Sequence, residues 1–133
     1  NEHVFALANY PFFSLSGKNA KKESLASRPK ESAAFLDSFL KSRGSLYFCS
    51  NDQWYNHCMK IINGRSFHQY NTASAGSALL ETKVSFNDLE VLPIAHARRY
   101  CYTLVHIDAN KVKVQTRMLS STVILDEFQY ELK

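Results

Sequence analysis

The chain has 133 residues, 45% of them hydrophobic and 13% aromatic, with a net charge of +4. That length and apolar content suit one globular unit, residues 1–133, with a real core. The modest charge, without an aromatic-basic groove motif, argues against a nucleic-acid partner, and no apolar run approaches the length of a membrane span.

No signal peptide is visible, and Asn1 is not an initiating residue, so the chain is expected to begin after processing or trimming. His3 to Ala8 reads as a buried strand that Pro11 ends. Ser14 to Ser27 is rich in Ser, Lys, Gly and Asn without a period, and reads as a long exposed loop. Lys18, Lys21, Lys22, Arg28 and Lys30 cluster there, as a solvated stretch and helix start would. Pro29 to Ser42 predicts a helix. Pro29 suits its first turn, Ala33, Leu36, Phe39 and Leu40 form an apolar face with Phe35 beside it, and Gly44 is placed as its stop.

Leu46 to Cys49 is a short apolar run that halts at Ser50-Asn51-Asp52-Gln53, followed by Trp54-Tyr55. This is the pattern of a buried strand delivering a loop to a sheet edge, where ligands of open α/β sheets bind. Strand, helix and strand make a βαβ unit, so the two strands should be parallel.

After Tyr55 the pattern changes. His57 to Ile62 and Ser66 to Thr72 flank Asn63-Gly64, which accepts the positive φ angles of a tight hairpin turn. Thr72 to Ser77 is small-residue rich, and Leu79 to Arg99 is irregular, with Pro93 opposing a central strand. Tyr100 to Ile107, Lys111 to Met118 and Val123 to Leu132 predict three strands, turning at Asp108-Ala109-Asn110 and Ser120-Ser121-Thr122. Val112, Val114, Thr116 and Met118 alternate with polar residues, which predicts one buried face.

Cys49, Cys58 and Cys101 fit no zinc spacing. A Cys49–Cys58 disulfide requires that their strands be neighbours. His57 and His68 can face each other across the hairpin, but no carboxylate or thiol is spaced to complete a metal site with them. Ser50 lacks a Gly-x-Ser-x-Gly elbow, and four glycines form no phosphate loop.

The stretch Leu46 to Tyr55 resembles a signature of the calcineurin-like metallophosphoesterases, nearest to those of purple acid phosphatase type: a strand, Gly-His-Asp-His, then an aromatic residue and Tyr. Val4 to Pro11 is similar to the same family's strand plus Gly-His-Tyr-Pro. The histidines of those motifs hold two metal ions, and here Asn9, Asn51 and Gln53 stand in their places. Asp52 is kept, and Tyr10, Asp52, Trp54 and Tyr55 become candidates to line the pocket. His68-Gln69-Tyr70 and the segment from Thr72 also resemble the family's strand and Gly-rich segment there, and the final meander resembles its C-terminal end. The family's earlier motifs, Asp-x-His, Gly-Asp-x-x-Asp and Gly-Asn-His-Glu, are absent from the 133 residues.

The resemblance implies a βαβ unit leading into mainly antiparallel strands, α+β in this piece, as the C-terminal half of a two-sheet αββα sandwich. It implies a secretory, lumenal or extracellular setting. Carboxamides bring no charge and bind such metals weakly. A catalytically degenerate protein of structure or interaction, without cofactor, is therefore expected. Its partner would be an N-terminal half-domain chain or a second copy. Two alternatives stay open: the C-terminal chain of an active phosphoesterase with two metal ions, and an unrelated small α+β binding module. At the residue level, Asn9, Asn51 and Gln53 read equally well as loop residues bonded to backbone, Asp52 as a turn carboxylate and Trp54 as a packing anchor.

Overall fold

A computed structural model of the chain describes residues 2–13, 15, 24–72, 78–79 and 91–132. In chain order it contains β1 (Phe5–Leu7), a 3-10 turn (Leu25–Ser27), α1 (Pro29–Lys41), β2 (Leu46–Cys49), β3 (Tyr55–Ile62), β4 (Arg65–Thr72), β5 (Leu92–Ala97), β6 (Cys101–Asp108), β7 (Lys111–Met118) and β8 (Ile124–Glu131). The first sheet has the order β1-β2-β4-β3-β5 and the second β6-β7-β8. β1 pairs parallel to β2, and β2 parallel to β4; every other pairing is antiparallel. The fold is thus mixed α+β, with one mixed and one antiparallel sheet, as a half-sandwich requires.

Alternation along the strands sends side chains to two cores. On one face of the first sheet, Tyr47, Cys49, Cys58 and Phe67 meet α1 and the segment after β1. Phe67 is the hub of an aromatic cluster, with ring centroids 5.2 to 6.0 Å from those of Phe12, Phe13, Phe39 and Tyr47. On the other face, Leu46, Tyr55 and Tyr70 meet Val112 and Val114 of the second sheet. Gln69 pins the segment after β1 by accepting from the Phe13 N–H and donating to its carbonyl, each at 2.8 Å.

The Asn63-Gly64 hairpin forms as predicted, with φ of 51° and 75° at its two turn residues. The C-terminal meander also forms, and Val112, Val114 and Thr116 are buried along one face of β7. Several expectations are corrected. Ala33 is exposed, and Phe35 takes its place in the core, stacked at 5.2 Å on Phe39. The expected exposed loop has buried ends: Leu15 and Ser24 are covered, and Leu25 and Ala26 donate to the carbonyls of Pro11 and Phe12. The rest of that loop (14, 16–23) and most of the small-residue stretch (73–77) lie outside the described residues. Residues 92–97, read as irregular, form edge strand β5; Pro93 is tolerated there beside a register shift between His57 and Cys58. All three cysteines are free, and the Cys49–Cys58 disulfide does not form because β4 lies between their strands.

Candidate functional site

Three places hold the candidate residues. The first is the C-terminal end of the parallel strands. The loops after β1 and β2 meet there: the Ala8 N–H donates to the Phe48 carbonyl at 2.9 Å, and the Ser50 hydroxyl donates to both the carbonyl and the side-chain oxygen of Asn9 at 3.1 Å. Asn51 follows in a left-handed conformation, φ 83°, which Asn tolerates better than most residues. The Asp52 carbonyl accepts from the Trp54 N–H at 2.7 Å and from Asn71 Nδ2 at 2.9 Å, fixing a tight loop. Asn9, Asn51 and Gln53 are thus carried on adjoining loops; Asn9 and Asn51 are exposed and Gln53 half-buried.

The four residues expected to line a pocket do not stay together. Tyr10 is half-exposed and, with Asn9 and Arg28, lines a small cleft of about 360 Å³. Asp52 is buried, close enough to Cys49 and Cys58 that its charge adds to the burial that raises both thiols, Cys58 to about 12. Thiols held so far toward the neutral form are poor nucleophiles. Trp54 packs into the helix-side core. Tyr55 points through the opposite face of the sheet into the core between the sheets.

The second place is that inter-sheet core, which holds the arrangement sequence reasoning missed. Asp126 of β8 lies 2.6 Å from His57 Nδ1 and accepts from the Tyr55 hydroxyl at 2.6 Å. His57 Nε2 in turn lies 2.9 Å from His68 Nδ1. Tyr70 stacks on His57 at 3.9 Å and Phe128 covers His68 at 4.1 Å. Both imidazoles are buried, with 1% and 3% exposure. Burial, reinforced by the neighbouring His57, pulls the His68 pKa down to about 4, against the opposing pull of Asp126. Burial alone would raise Asp126, but hydrogen bonds from His57 and Tyr55 outweigh it and hold the carboxyl below its ordinary range. Tyr55 is raised by burial and then by Asp126.

The histidines were expected to face each other without a carboxylate. They do face each other, but a carboxylate joins them from 69 residues beyond His57, on a strand of the other sheet. A separation of that size leaves no local signal. The Asp–His pair has the orientation of a catalytic relay, yet its third member is another imidazole and both imidazoles are buried. It can hold and move a proton, and it ties the sheets together. Among the described residues, no group of three or more His, Cys, Asp or Glu is arranged to hold a metal ion.

The third place is the open flank of the inter-sheet core. Phe5, Leu7 and Phe48 from the first sheet and Thr103, Val105 and Ile107 from β6 line a mainly apolar cleft of about 870 Å³. Leu7 is 83% exposed and Ile107 55%. No helix among the described residues is long and apolar enough to cross a membrane.

No protein-family model matches the sequence, and no curated protein matches it significantly. Among solved structures, the chain is similar to a purple acid phosphatase isolated from yellow lupin (Lupinus luteus) seeds. The TM-score is 0.67 and the identity 11%, over 96% of this chain and 24% of that one. At that identity the likeness is one of fold: the chain has a metallophosphoesterase-like fold and spans about a quarter of the length of the solved chain it matches.

Proposed function

We propose that the chain is the C-terminal portion of a metallophosphoesterase-like domain that has lost its metal site, and that it acts through protein association. The carrying observation is the meeting of the loops after β1 and β2 at the strand ends. These are the loops whose motifs resemble the family's metal-binding ones, and they bring carboxamides where that resemblance calls for imidazoles. The residues do not fit a dinuclear centre. The Asn9 side-chain oxygen already accepts from Ser50, and Asn51 and Gln53 offer only neutral oxygen or amide donors. The conserved chemistry of such centres, a metal-activated hydroxide attacking a phosphate ester, needs a ligand set these residues do not supply.

The open apolar flank supports association. Among the described residues β1 pairs with β2 alone, and the cleft beside it is lined from both sheets. The occupant that suits it is an N-terminal portion of the same kind of domain, on this polypeptide or on a separate one.

Elemental analysis of the purified protein tests the first half of the proposal. Less than one equivalent of transition metal is expected, and two bound ions that depend on residues 9, 51 and 53 would overturn it. The triple variant Asn9→His, Asn51→His, Gln53→His should still hydrolyse no phosphate ester when free of other chains. Hydrolysis by that variant would mean that the 133 residues hold the remaining ligands after all.

A further inference from the structure

We propose that the Asp126–His57–His68 chain is an acid-sensitive latch between the two sheets: it holds one proton between the imidazoles, and a second proton opens it. The inference is independent of the proposed function. Its ground is geometric. His57 Nε2 and His68 Nδ1 are 2.9 Å apart, a distance that a single shared hydrogen spans. When both rings are imidazolium, all four nitrogens carry hydrogens and none accepts. Two N–H groups would then point into one gap, with like charges side by side. The single carboxylate, Asp126, already satisfies His57 Nδ1 and Tyr55, so the second charge has no counter-ion within the chain.

The neighbours offer no relief. Among the described residues, Tyr55 and His57 on β3, Tyr70 on β4, and Asp126 and Tyr130 on β8 are the titratable groups packed on this side, with Cys101 of β6 at the margin. His3, ahead of β1, stands edge-on to Tyr130 with ring centroids 6.1 Å apart, and its Nε2 lies 2.8 Å from the Ala109 carbonyl. β2 presents Leu46 and Phe48, and β7 presents Val112, Val114 and Thr116. Tyr55 and Tyr70 are both raised, so neither supplies an anion in acid. With both rings charged, the repulsion in the gap drives His68 out of it. Phe128, whose ring lies on His68, then loses its seat, and β8 loosens from the first sheet.

The sign follows from the depressed His68. Its neutral form is favoured in the folded state, so the full stabilisation by the latch is present above about pH 6.5. Stability is lost as pH falls from there through about 4, and falls no further on this account below that. Denaturant unfolding of the full chain between pH 7 and pH 4 tests this against His68→Gln, which can bond to His57 but cannot titrate. The wild-type folding constant should drop by about two orders of magnitude more than that of the variant. An equal drop in both would overturn the latch. Should the variant not fold, imidazole NMR of the wild type decides. His68 staying neutral to below pH 5, and losing its contact with Phe128 on protonation, supports the latch. Protonation near pH 6.5, or a contact that survives protonation, refutes it.

Discussion

The turn that ends α1 separates two residues whose roles the sequence invites one to exchange. Gly44 was placed as the left-handed stop of the helix, but that conformation belongs to Arg43, φ 62°. The Arg43 N–H donates to the Leu40 carbonyl and the Gly44 N–H to the Phe39 carbonyl at 2.8 Å, which is a Schellman closure one residue earlier than expected. Gly44 is needed for space: a Cβ there would lie 2.3 Å from the Phe39 ring, and that ring is fixed in the aromatic core. Gly44→Ala should therefore destabilise the fold by about 1–3 kcal/mol. Arg43→Gly should stabilise it by about 0.5–1 kcal/mol, by removing a left-handed side-chain residue. Chemical denaturation of the two variants reads both signs. A Gly44→Ala variant as stable as the wild type, or destabilisation by Arg43→Gly, would overturn this division of roles. The residues of the strand-end loops are legible only through the resemblance of Val4 to Pro11 and Leu46 to Tyr55 to family motifs. Asp126 was not, because nothing in its own sequence neighbourhood marks it as the partner of a histidine on another sheet.

At the scale of elements, local chemistry fixed what it could reach. Asn63-Gly64 set the hairpin and its register, Pro29 set the start of α1, and the alternation of Val112, Val114 and Thr116 set the inward face of β7. β5 escaped because Pro93 argues against a strand, and an edge position tolerates it. The burial of Leu15 and Ser24 escaped for a related reason. Polar composition describes the middle of that loop, while its ends are held by Gln69 and by backbone bonds from Leu25 and Ala26, and no period reports those. What joins β4 to α1 is Phe67, fully buried and touching four aromatic rings from α1, β2 and the segment after β1. Phe67→Ala should cost about 3–5 kcal/mol. Tyr70→Phe at the other face removes only a hydroxyl with no bonding partner, and should be neutral or mildly stabilising. A larger loss from Tyr70→Phe than from Phe67→Ala, measured by urea midpoints, would place the principal core between the sheets instead of beneath the helix.

For the whole molecule, the asymmetry between its two flanks carries the argument. At one end the first sheet closes on β5, an edge strand with a proline in it, which is how a sheet edge is normally protected from adding strands. At the other end, among the described residues, it stops at the three-residue β1, beside a cleft that exposes Leu7, Val105 and Ile107. The sheet-to-sheet core continues into that cleft, and the association proposed above would cover the apolar surface there. Sedimentation velocity of the isolated chain should therefore show self-association, or a complex when the N-terminal portion is supplied. Leu7→Lys together with Ile107→Lys should abolish either one. Because both side chains are mostly exposed in the chain alone, the double variant should change its unfolding free energy by no more than about 0.5 kcal/mol. The two measurements separate docking from folding. Loss of association with stability intact places the contact on this flank. A wild-type chain that sediments as a monomer at every concentration, unfolds cooperatively and binds no N-terminal portion would mean that the flank is closed as it stands and that the fold is complete in 133 residues.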